Sequence, residues 1–240
     1  TVETELMLAD LESLERRIVQ TRKRATGKDK ESIAVLPMME QALELLQGGK
    51  PTRVLLDGIA AEDLRILRGL NLLTSHPVLY VCNVAEGDAA GGNEHTRAVE
   101  RMAEAQGARV VVISAAIEAE VAQLPDEEAQ EFLSSMGLEK PGLDRLIRAG
   151  YELLHLITYF TAGPKETRAW TIERGTRAPQ AAGVIHTDFE RGFIRAQTIA
   201  YDDFVTLGGE VAAKEAGKAR DEGKEYVVQD GDVMMFKFNT

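Results

Sequence analysis

Cysteine is nearly absent: the 240-residue chain holds one, Cys82. A single thiol excludes an intramolecular disulfide and every thiol-rich metal site, and makes a reducing cytoplasm the expected compartment. Cys82 lies in an apolar run, where a thiol serves as a small hydrophobe rather than a nucleophile. Long hydrophobic runs are missing too. No stretch approaches the roughly 20 apolar residues of a membrane span, and no basic-then-apolar leader precedes the first helix. Positive charge is also short. A formal net charge of −11 excludes a protein that coats nucleic acid by bulk electrostatics, so any RNA contact needs a local basic patch. There is no internal repeat and no low-complexity tract. The sequence opens on Thr1 and runs at once into helical pattern, so a fragment or a processed product is expected.

What is present divides into three rhythms. In residues 1–50, Met7, Leu11, Leu14 and Ile18 form one heptad seam, and Leu36, Met39, Leu43 and Leu46 a second. Such seams pack two antiparallel helices along a narrow apolar stripe. Between them lies RKRATGKDKES (22–32), interrupted by Gly27, while Gly48, Gly49 and Pro51 close the second helix. The tip carries Arg22, Lys23, Arg24, Lys28 and Lys30. A charge run of this kind is ordinarily a solvated turn. Cations at the end of a rigid lever also suit an RNA backbone.

From residue 51 the pattern is α/β. The stretch 61–73 reads as an amphipathic helix, with Leu64, Leu67 and Leu70 among its apolar positions. PVLYVCN (77–83) and ARVVVIS (108–114) read as strands joined by a helix over 93–107. That predicts a parallel βαβ unit buried on both faces. Further helix is expected over 117–157, with a loop near Lys140, Pro141 and Gly142. The last 80-odd residues predict a strand pair, 155–163 and 165–173, around Gly163 and Pro164. A short helix is expected over 187–200, opened by a capping box from Thr187 to Glu190 and carrying Phe189 and Phe193 as packing residues. A turn at Gly231 precedes an alternating final strand. Strands flanking one helix suggest a small β-grasp module.

Ligands of parallel α/β sheets bind at the carboxyl ends of the strands. Asn83, Val84 and Glu86 sit at one such end, and Ser114, Ala115 and Ala116 at the next. A side-chain amide can bridge a purine's N7 and its exocyclic group, and small residues let backbone amides approach the same ring. Guanine-specific sites place NKxD here. Val84 in place of the Lys and the longer Glu86 in place of the Asp depart from guanine readout and favour adenine. A strand-end Asn that merely closes a turn is the alternative.

A phosphate loop, G-x-x-x-x-G-K-[ST], is missing. Gly27-Lys28, Gly49-Lys50, Gly217-Lys218 and Gly223-Lys224 lack both the upstream Gly and the following hydroxyl. The DxxG run from Asp88 to Gly91 follows the base strand instead of preceding it, and reads as chance. No Ser/His/Asp constellation stands out. His76 and His155 read as structural.

Four segments carry a family resemblance: TELMLADLESLERRI (4–18), NLLTSHPVLYVCNVAE (71–86), ISAAIEAEV (113–121), and the C-terminal blocks 156–204 and 224–239. Together they resemble the YchF family of Obg-like ATPases over essentially the whole chain, most specifically in the C-terminal blocks. The resemblance implies α/β plus α+β architecture. A helical hairpin arm covers 1–50, the C-terminal part of a G-type, phosphate-loop-type parallel α/β domain covers 51–155, and a β-grasp domain of the TGS class covers 156–240. It implies an ATP-preferring, ribosome-associated hydrolase, with GTP second. The phosphate loop, switches and hydrolytic His of the family lie before the hairpin, so this chain is expected to be inactive alone. ATP and Mg²⁺ are the cofactors expected of the intact protein, and neither is fully bindable here.

By carry-over Asn83, Val84, Glu86, Ser114, Ala115 and Ala116 line the adenine pocket. The ribosome or ribosomal RNA is the implied partner, met on a concave face between arm and TGS domain. Arg22, Lys23, Arg24 and Lys28 are the arm's candidates. Lys165, Arg168, Arg174, Arg177, Arg191 and Arg195 are those of the TGS side, interleaved with acids. No catalytic residue, no metal ligand, no DNA, no membrane and a monomeric state are expected. A stand-alone RNA-binding adaptor with a vestigial base pocket is the second reading. A third, a TGS-type small-molecule sensor, lacks the catalytic domains such proteins carry.

Overall fold

The computed structural model describes residues 2–163 and 166–239. It divides into two compact units, Thr1–Val78 and Leu79–Thr240.

In the first unit α1 (Val2–Thr26) and α2 (Lys30–Gln47) form a hairpin. Asp29 starts α2 by accepting the Ser32 amide at 2.9 Å. The Ser32 hydroxyl first, and then this amide, hold its carboxyl below the usual carboxylate range. The seams interlock as the heptads require: Leu14, Ile18, Met39 and Leu46 are buried, joined by Met38 and Ala42. The hairpin does not stand alone. A 3₁₀ turn (Thr52–Leu56), α3 (Ala61–Gly69) and a second turn (Leu73–Ser75) follow, and Leu67, Leu70 and Leu72 enter the same core. Asp10 fastens this base, taking the Leu73 and Thr74 amides at 2.7 and 2.8 Å and the Thr74 hydroxyl at 2.7 Å.

The second unit opens with β1 (Leu79–Asn83), α4 (Glu94–Ala105) and β2 (Arg109–Ile113). The strands pair in parallel from Leu79 opposite Arg109 to Asn83 opposite Ile113, as the βαβ pattern predicts. Burial on both faces is not observed. Only Val111 is buried, and Val81 is 44% exposed, because two strands alone cannot enclose one another. Three helices follow: α5 (Ala115–Val121), α6 (Asp126–Ser135) and α7 (Gly142–Leu153).

The C-terminal part is a five-stranded mixed sheet. Its strands are β3 (Leu156–Ala162), β4 (Thr167–Glu173), β5 (Phe193–Ala200), β6 (Arg220–Glu222) and β7 (Asp232–Phe238), in the order β4-β3-β7-β5-β6. β7 is central, parallel to β3 and antiparallel to β5. A hairpin, a helix and a last strand inserted beside the first make a β-grasp. The crossing helix is α8 (Ala178–Ile185), whose Ala178, Ala181 and Ala182 let it settle closely on Tyr159, Phe193 and Met234. Three short helices, α9 (Thr187–Arg191), α10 (Tyr201–Leu207) and α11 (Glu210–Glu215), complete the connections.

The helix expected over 187–200 is corrected. Only its first five residues are helical, and the rest is β5. Phe193 and Ala196 face the core under α8, brought to one face by the bulge between Phe193 and Arg195. Ile199 is buried on the opposite face, and pairing with β7 outweighs the local helical pattern. The capping box is corrected as well: His186 is the cap, its Nδ1 accepting the Asp188 amide at 3.2 Å. Phe193 therefore sits on a strand, not on the helix with Phe189. Both pack all the same, Phe189 stacking on Phe238 at 3.8 Å and Phe193 being 5% exposed.

Candidate functional site

Parallel pairing brings Asn83 and Ile113 side by side, so the loops leaving β1 and β2 emerge together. Val84 N donates to the Ile113 carbonyl at 2.9 Å, extending the ladder one residue. The Asn83 side chain then crosses between the strand ends, its Oδ1 accepting the Ala115 amide at 2.9 Å. Since only an oxygen can accept that amide, Nδ2 must point the other way. Asn83, Glu86, Ala115 and Ala116 are exposed at this end. Val84 turns inward, against the cluster of Ala89, Ile117, Leu133 and Leu138. Ser114 is 2% exposed, and its Oγ has no partner. The six predicted base-site residues thus gather at one place, four of them open to a ligand.

Two supports went unread in the sequence. Glu118, one turn into α5, accepts the Gly142 and Leu143 amides at 2.6 and 3.1 Å. It so caps α7 and ties it to the helix that carries Ala115. A carboxylate at a helix start is favoured by the exposed amides and the dipole. Gly142 is required for the approach: a Cβ there would lie 2.7 Å from Glu118 Oε1 and 2.9 Å from Ile113. The Pro141-Gly142 pair is the only local signal of this junction. Asp88, from the DxxG run, accepts from Asn93 Nδ2 at 2.9 Å, while Asn93 caps α4. That run is a helix-capping loop.

Cys82, one residue before Asn83, is half-buried and free. Burial, with the Glu100 carboxylate nearby, raises its pKa, which disfavours a thiolate nucleophile. Among the described residues no three His, Cys, Asp or Glu side chains could together hold a metal ion.

The predicted partner surface separates into paired and unpaired cations. In the hairpin, Arg22 meets Glu40 at 3.0 Å, whereas Lys23 and Lys28 are exposed and Arg24 faces Asp29. In the β-grasp, Arg168 lies over the Trp170 ring at 4.2 Å, Arg177 pairs with Glu225 at 2.8 Å, and Arg195 with Asp221 at 2.6 Å. Arg174 and Arg191 are exposed. Lys165 lies outside the described residues. No helix among them is long and apolar enough to cross a membrane.

These elements define a mixed α/β and α+β protein: a helical hairpin, part of a phosphate-loop-type parallel α/β domain, and a β-grasp. The solved structure of the Schizosaccharomyces pombe YchF GTPase has the same fold, with a TM-score of 0.82 at 33% identity over 98% of this chain and 64% of that one. Residues 156–239 match the family model YchF-GTPase_C, described as a protein of unknown function (DUF933). The ribosome-binding ATPase YchF of Haemophilus influenzae is 54% identical over 239 residues, 100% of this chain and 65% of that protein. Obg-like ATPase 1 of Oryza sativa subsp. japonica is 38% identical over 242 residues, 61% of its length. The chain belongs to the YchF and Obg-like ATPase family, and spans 65% of the length of its Haemophilus relative.

Proposed function

We propose that the chain supplies the base-recognising half of a purine-nucleotide site, and a ribosome- or RNA-facing surface, in a ribosome-associated ATP-preferring nucleotidase. The observation that supports this reading is the Asn83–Ala115 tie. With Oδ1 engaged, the outward Nδ2 can donate to purine N7, and the exposed Glu86 carboxylate can accept from an exocyclic amine. Adenine offers that acceptor and donor side by side. Guanine offers a second acceptor, O6, which a carboxylate repels. Val84, turned into the core, buttresses the strand end and does not cover the ring. The residues fit the base and not the phosphates, so no hydrolytic step is assigned to them. ATP with Mg²⁺ is the proposed cofactor of the whole protein, where the missing phosphate clamp must come from elsewhere.

Titrating adenosine, then guanosine, into the ¹⁵N-labelled chain tests the base site. Adenosine is expected to shift the Asn83 side-chain amide and the Glu86 and Ala115 amides, and Asn83→Ala to abolish this. Equal response to guanosine, or none to either, would sink the reading.

For the partner surface, Lys23, Lys28, Arg174 and Arg191 are the strongest candidates, being exposed and without an ion pair among the described residues. The name of the Haemophilus relative, a ribosome-binding ATPase, supports a ribosomal partner. The adaptor reading is favoured by one observation, the lack of a phosphate loop in the sequence. Salt-sensitive RNA binding that ignores ATP would select it.

A further inference from the structure

β2 bonds to β1 along one edge and, among the described residues, to no strand along the other. Helices α4 and α7 both pack on β1 and β2 without packing appreciably on each other, which places them on opposite faces of the pair. Along the outer edge of β2 runs a groove of about 350 Å³. It touches Val110, Val111 and Val112 in succession. Neighbouring strand residues point to opposite faces, so a groove that meets three in a row follows the edge and its main-chain groups. Guards are few along this edge: 110–113 holds no Pro, no Lys and no bulge. The strand's one cation, Arg109, is paired with Glu152, and the loop Ala89–Gly92 lines the groove without bonding to the strand.

The two walls differ in charge. Glu100 stands on the α4 side and Arg145 on the α7 side. They form no ion pair with each other, and Arg145 Nε is buried without a hydrogen-bond partner. A buried guanidinium N–H without an acceptor is unfavourable, and the groove is where an acceptor can reach it. A small free anion would meet Arg145 but would also face Glu100, and would leave the strand edge bare.

We propose that this groove takes an extended peptide by strand addition, the peptide carrying a basic and an acidic side chain at adjacent positions. Main-chain groups of β2 pair with the peptide backbone, the usual source of affinity in this mode. Because successive side chains of the added strand point to opposite faces, one of the two charges meets Glu100 and the next meets Arg145. Same-face spacing, two residues apart, cannot satisfy both.

Three capped hexapeptides test this on the ¹⁵N-labelled 240-residue chain: Thr-Val-Lys-Glu-Val-Thr, its Glu-Lys counterpart, and the spaced control Thr-Lys-Val-Glu-Val-Thr. One adjacent-charge order is expected to shift the amides of 110–112 and Arg145 Nε–H. The spaced control, and the variants Glu100→Gln and Arg145→Gln, are expected to bind about tenfold or more weakly. Double reversal, Glu100→Lys with Arg145→Glu, is expected to switch the preference to the other order, an outcome that loss of fold cannot mimic. Binding of all three peptides alike, or no shift in β2, overturns the proposal. So do acetate alone reproducing the Arg145 shift with β2 unmoved, and β2 shifts that grow with protein concentration without peptide, which would mark a second copy as the occupant.

Discussion

Asp10 is 3% exposed, the one fully buried acid of its helix, and its two oxygens satisfy three donors at the Leu73–Ser75 turn. Asp10→Ala leaves the Leu73 and Thr74 amides without an acceptor, the Thr74 hydroxyl still having Thr52 Oγ1 at 2.9 Å, and should cost about 3 kcal/mol, since one buried unsatisfied group costs roughly 1–3. Urea denaturation followed in the hairpin unit measures it. Nothing in the sequence marks Asp10, because its partners lie more than sixty positions away. Tyr226 offers a second test. Burial, and the Asp232 carboxylate that its hydroxyl bonds at 2.7 Å, push its pKa up to about 12 from an ordinary 10.0. The fold therefore favours the neutral phenol. Its contribution is fully present below pH 10 and is lost as pH rises through about 12. Tyr226→Phe should flatten that part of the alkaline stability profile, and tyrosinate absorbance should show one titration fewer there.

At the scale of elements, the junction of α5 with α7 and the end of β7 make the sharpest demands. Glu118→Ala strips the acceptor from the first amides of α7, and should destabilise by about 1–2 kcal/mol, the range of a lost helix cap. Hydrogen exchange at Gly142 and Leu143 should accelerate first. If these amides keep their protection, the clamp is not what holds α7. Gly192 ends α9 where the chain passes under Asn239. A Cβ there would stand 2.0 Å from the Asn239 carbonyl oxygen, main chain that cannot step aside. Gly192→Ala should break the Asn239–Gly192 bond and the last β5–β7 rungs, lowering the melting temperature of the β-grasp while hairpin helicity persists. Helix and strand types were legible wherever a long period ran uninterrupted, as in α1, α2, β1 and β2. The 187–200 stretch was not. Its opening turn is genuinely helical, and the same residues suit a strand once β7 is beside them.

Across the whole molecule, two units with separate cores carry the candidate surfaces. Reversing Lys23 and Lys28 should weaken ribosome co-sedimentation, and flatten its dependence on log salt by about 1 for each phosphate left without a cation. Arg22→Ala should matter less, since Glu40 already holds that guanidinium. An unchanged slope would move the interface to Arg174 and Arg191. The net charge of −11 makes such local exceptions necessary, because the remaining surface repels a polyanion.

The amino-acid order by itself determined the hairpin, the parallel pair and the strand-end position of Asn83, since each follows from periodicity within a few turns or strand lengths of chain. It also determined the family, through motifs that run nearly unbroken over the C-terminal blocks. Only the tertiary structure decided how the Asn83 side chain is oriented, because the Ala115 amide that it accepts lies 32 residues on. The same holds for Val84, which faces inward because α5 and α6 bring Ile117 and Leu133 beneath it. Burial by distant partners leaves no periodic trace in the chain, and that is why the strand end was readable while the direction of its side chains was not.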